Sequence, residues 1–229
     1  MDMKCFGYYI VKPLGRPDWC TLSSEALLSV SEDGLSEIFP ALEKCFWVNY
    51  PESDRIKYRE YLKLSDGEFA SFRKEVADLF ENKRLCTDGR FIDPEDALRL
   101  HRYLKNVSGY KIVGIFTDPQ IFAEFEDEGT FDELPAGKDY TLPMRKIGCD
   151  ILGCQSLGKG YHSFTSYIAC SLNEEIEKKS DVSPVISEES GLLQNTYEQT
   201  SSFCDLIQGQ GEPVIWTPFE VYEILQPQA

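Results

Sequence analysis

Chemistry needs reactive side chains held close together. The 26 residues from Ile147 to Leu172 (IGCDILGCQSLGKGYHSFTSYIACSL) hold the densest set in the chain. They combine Cys149, Cys154, Cys170, Asp150, His162 and Ser163 with four glycines. A thiol or hydroxyl becomes a nucleophile when a base stands within hydrogen-bond reach. The chain has two histidines. His101, between Arg99 and Arg102, reads as a surface residue, which leaves His162 as the base for Cys149, Cys154 or Ser163. The catalytic candidates are therefore His162, Ser163, Cys149 and Asp150. Against them, no G-x-S-x-G elbow and no cysteine-protease signature occurs. A histidine at a helix start also has a plain role, capping backbone or packing on an aromatic ring.

The same segment invites two other readings. A strand ending at Leu152-Gly153, a glycine-rich loop and a helix opening at His162–Ser163 would present free backbone N–H groups to an anion. Gly158-Lys159-Gly160 is nevertheless followed by no Ser or Thr, so the P-loop pattern is missing. Ser163 is explained equally well as a helix cap. For a metal, Cys149 and Cys154 lack the tight CxxC spacing that zinc sites show, and Cys170 lies two helical turns beyond His162. The expectation is no metal and no cofactor. With 39 acids, some carboxylate pair falls at any chosen spacing, so paired acids carry no weight.

Binding has a better foothold. Trp216, Phe219 and Tyr222 recur at intervals of three among Glu212, Glu220 and Glu223. Their ordinary fate is closure of a core. Left partly exposed, they would be aromatic anchors rimmed by acids, suited to gripping a basic protein. These six residues are the candidate binding set.

Charge points the same way. The 229 residues carry 23 bases and 39 acids, a net charge of −16. Residues 1–110 hold 16 bases and 19 acids, whereas residues 111–229 hold 7 and 20. No lysine or arginine follows Lys179, and Glu124, Glu126, Asp127, Glu128, Asp132 and Glu133 form a run with no base among them. A chain this acidic is repelled by phosphate backbones, which argues against nucleic acid as a partner. The plain reading is a solvated surface that aids solubility; the sharper one is a negative face that steers a basic partner. The N-terminus shows no secretory h-region, and no run of about 18 uncharged apolar residues exists, so no membrane is expected. The eight cysteines then read as reduced, buried thiols in a cytoplasmic protein.

The elements that must position these groups are legible in part. Aromatic and β-branched residues make Cys5–Lys12 and Tyr110–Phe116 strands. Shorter strands are expected near Leu27–Val30 and Phe46–Val48. Ser65–Lys83 is a helix opened by the capping box Ser65/Glu68, with Phe69, Phe72, Val76, Leu79 and Phe80 on one face. Asp93 and Pro94 start a second helix to Lys105, and a short one spans Pro119–Glu126. Asp139–Leu152 is extended, with Pro143 making it bent or an edge. Ser163–Lys179 and Glu188–Gln208 are helical, and Pro213–Ile224 gives a short strand, a proline break, then strand or a helical turn. Helices and strands alternate without repeat or βαβ rhythm. That predicts an α+β fold, an antiparallel or mixed sheet with helices packed on it, in a single domain with a subdivision near residue 108.

A resemblance follows from Asp150-Ile151-Leu152-Gly153, His162-Ser163-Phe164, Cys170-Ser171-Leu172 and Glu212-Pro213-Val214-Ile215-Trp216-Thr217-Pro218. Residues 147–225 resemble an uncharacterised family of small bacterial cytoplasmic proteins, similar to the immunity proteins of polymorphic toxin systems. The resemblance implies a stand-alone domain that binds something and transfers no catalytic residue. Two functions are thus expected. The first is an acidic binding protein, an immunity-type inhibitor of a basic toxin domain. The second is a small enzyme or ligand binder using the loop and helix start at 153–163. The oligomeric state is left open.

Overall fold

The computed structural model describes residues 2–11, 59, 60, 62–85, 90–107, 110–127, 129, 135–141, 143–156, 162–165, 196–208 and 215–225. The strands expected at Leu27–Val30 and Phe46–Val48 lie outside them, as do residues 166–179 and 188–195 of the expected helices. The fold is α+β, as the element pattern predicts. Five strands, β1 (Lys4–Val11), β2 (Lys111–Thr117), β3 (Met144–Ser156), β4 (His162–Thr165) and β5 (Ile215–Ile224), form one sheet. Their spatial order is β1-β2-β5-β3-β4, and every pairing is antiparallel. The last strand in sequence is therefore the central one.

Among the described residues, four helices pack on this sheet: α1 (Asp66–Glu81), α2 (Pro94–His101), α3 (Pro119–Asp127) and α4 (Tyr197–Ile207). The predicted capping box opens α1. The Ser65 hydroxyl donates to Glu68 Oε2 at 2.7 Å, and the Ser65 backbone N–H donates to the same oxygen at 3.0 Å. The Glu68 N–H donates back to Ser65 Oγ at 3.3 Å. Asp93 caps α2 by accepting from the Glu95 N–H at 3.0 Å, with Pro94 in the first turn. After His101 the chain tightens into a 3-10 turn, Arg102–Leu104.

Strand alternation, shifted once by an irregularity of register between Cys5 and Gly7 in β1, gives the sheet two apolar sides. On one, Tyr8, Ile10, Ile112 and Ile224 pack with Phe69, Phe72 and Val76 of α1 and Leu100 of α2. On the other, Phe6, Tyr9, Val113, Ile115, Phe219 and Val221 pack with Phe125 of α3. The outer edge of β1 is covered too. Tyr8 and Phe91 exchange backbone hydrogen bonds of 3.0 and 2.8 Å, and the Gly137 N–H donates to Phe6 O at 3.0 Å. Gly137 has to be glycine here, because a Cβ would stand 2.6 Å from Cys5 Sγ. Covering an edge in this way removes a template for unwanted strand pairing.

Three expectations need correction. β3 does not stop at Leu152 but runs to Ser156, so Gly153 and Cys154 lie in a strand, not in a loop. His162 and Ser163 do not open a helix; they begin β4, where His162 pairs with Ser156 and Ser163 with Gln155. Ser163 is accordingly no helix cap. Pro218 does not break β5. In an antiparallel strand a residue's N–H and C=O point to the same side. The Pro218 carbonyl accepts from Thr117 Oγ1 at 3.0 Å, at the last residue of β2. The missing proline N–H therefore faces the end of β2, where no ladder bond is lost.

Candidate functional site

The predicted catalytic set is spread along the sheet. Cys149 pairs with Glu220 of β5, whereas His162 pairs with Ser156, seven residues further along β3. At about 3.3 Å per residue that is about 23 Å, far beyond proton-transfer reach. Asp150 follows Cys149 and pairs with Phe219; Ser163 pairs with Gln155. The thiol of Cys149 is itself fully buried. Burial pushes it up to about 11, although Lys146 and Thr200 pull the other way. A thiol so placed stays protonated at neutral pH and is a poor nucleophile. Cys5 and Cys204 are likewise buried free thiols. His101, expected at the surface, is half-buried with Nε2 3.0 Å from the Tyr110 carbonyl oxygen, a distance at which the ring N–H donates. Among the described residues no group of three or more His, Cys, Asp or Glu side chains is placed to hold a metal. No described helix is long and apolar enough to cross a membrane.

The predicted binding set divides differently. Glu212 lies outside the described residues, and Trp216 stands in β5 opposite Gly153. Phe219 is fully buried, 5.4 Å edge-on from the Phe6 ring, so it closes the core and offers no anchor to a partner. Tyr222 is half-buried, edge-on to Phe116 at 5.1 Å, and its hydroxyl donates to Glu220 Oε2 at 2.7 Å. Burial pushes the Tyr222 phenol up to about 12, and Glu220 adds to the rise.

The two carboxylates of this strand are engaged from within. Glu220 is paired with Lys146. Glu223 is held by Arg145 at 2.7 Å from β3 and by Lys111 at 3.3 Å from β2. Register explains the second group, since Glu223 stands opposite Arg145 on one side and Val113, two residues from Lys111, on the other. Only 13% of the Glu220 side chain and 16% of the Glu223 side chain remain exposed. Burial raises the Glu223 carboxyl, but Arg145 and Lys111 outweigh it and leave it below its ordinary value.

Acids without such partners among the described residues lie on α3. Asp118 caps this helix, accepting from the Gln120 N–H at 2.8 Å, and Phe122 and Phe125 are buried beneath it. Glu124, Glu126 and Asp127 are exposed in its last turns, and the helix contains no base. Among the described residues none of the three has an ion-pair partner. A helix carries partial negative charge at its C-terminus. These carboxylates therefore oppose both the dipole and one another. The acidic run from Glu124 was visible in the sequence. Its exposure, and the internal pairing of the β5 acids, required the sheet register.

An open cavity of about 420 Å³ is lined by Gly67, Glu68, Ser71, Arg102, Tyr103 and Lys105. Its charges are matched internally. Lys105 lies 3.1 Å from Glu68, and Arg102 is paired with Glu75, to which the Tyr103 hydroxyl also donates at 3.1 Å. The Ser65 hydroxyl and backbone, with Lys105, hold the Glu68 carboxyl down at about 2.

No protein-family model, no curated protein and no solved structure matches the chain.

Proposed function

We propose that this protein binds a basic protein partner through the acidic C-terminal end of α3 and performs no chemistry at the His162 segment. The observation that carries the reading is the placement of Glu124, Glu126 and Asp127, exposed and unpaired among the described residues at the negative end of a helix without a base. Each such carboxylate costs the fold about 0.3–1 kcal/mol at low ionic strength. A local rule broken without an internal gain marks a surface kept for another purpose. Complementary charge raises association rates and rejects wrong partners without a reaction.

In its finer form, the protein works in the cytoplasm as an immunity-type inhibitor of a basic toxin domain. The resemblance over residues 147–225 supports that form. The enzyme alternative relied on a helix start at His162–Ser163, and these two residues begin β4 instead.

The test is co-expression with the toxin domain encoded beside this chain's gene. Growth should be rescued by the wild type and by His162→Ala, and lost with the triple variant E124K/E126K/D127K. Rescue by the triple variant at the wild-type level, or a neighbouring gene that encodes no toxin, overturns the reading.

A further inference from the structure

We draw no further inference here: the strongest candidate, the open cavity between the first turn of α1 and the 3-10 turn, carries nothing, because its cations Arg102 and Lys105 are already paired with Glu75 and Glu68, the helix end is capped by Ser65, and nothing among the described residues points to an occupant.

Discussion

Glu220 and Glu223 on β5, and Glu124, Glu126 and Asp127 on α3, belong to the same base-poor half of the chain and have opposite fates. The strand places its two carboxylates between β2 and β3, where Lys111, Arg145 and Lys146 meet them. The helix leaves its three carboxylates exposed and, among the described residues, without an ion-pair partner. Counting charges along a sequence treats the two groups alike. Pairing across a sheet separates them, because a base remote in sequence becomes a neighbour in space. The acids of β5 tie β2 and β3 to the central strand, and those of α3 form the face we propose for a partner.

The strongest way to break this comparison is to show that β5 is a binding surface after all. Phe219→Ala should cost about 3–5 kcal/mol, the usual loss for a fully buried phenylalanine, read as a lower denaturant midpoint. A loss below about 1 kcal/mol would mean that Phe219 is not part of the core.

Glu223→Gln comes next. It removes the charge on which Arg145 and Lys111 converge, and should cost about 1–2 kcal/mol, somewhat below the range for fully buried hydrogen bonds to charged groups. Equilibrium unfolding at about pH 7 measures it. An unchanged midpoint would place these residues among ordinary surface pairs.

The pH dependence sharpens the same contrast. Glu223 titrates below its ordinary value, so its contribution is complete above the unfolded value of about 4.3. It is lost as the pH falls through the lower folded value, because the unfolded chain then binds the proton more readily. Thermal unfolding followed from about pH 6 down to about pH 2 should show a smaller acid loss for Glu223→Gln than for the wild type. Identical slopes would remove Glu223 from the account.

The smallest effect per residue has the opposite sign. Neutralising α3 with E124Q/E126Q/D127N should raise stability by about 0.3–1 kcal/mol per site at low salt, since each charge opposes the helix dipole. The gain should shrink at about 1 M salt, where the Debye length falls to about 3 Å. A loss of stability would reveal an ion pair that the account lacks.

These differences follow from what sequence encodes locally and what it leaves to register. The capping box Ser65/Glu68, the Asp93-Pro94 helix start, the aromatic strands and the short helix at 119 are all signals within a few residues, and each became the element expected. Ser163 carried the same kind of local signal, a hydroxyl before an apolar run, yet it became a strand residue because β3 continues to Ser156 and offers it an edge. Pro218 read as a break, and only the end of β2 at Thr117 makes it harmless in a central strand. The candidate site was legible to the same extent. The acidic run from Glu124 showed in the sequence, whereas the pairing of Glu220 and Glu223 depended on strands that meet only after folding.

The most direct measurement is an amide NMR titration of the intact chain with a decalysine peptide at low salt. Shift changes should concentrate at residues 120–127 and leave the Glu220 and Glu223 amides unmoved. Changes centred on β5, or spread evenly over the surface, would contradict the assignment of the contact face to α3.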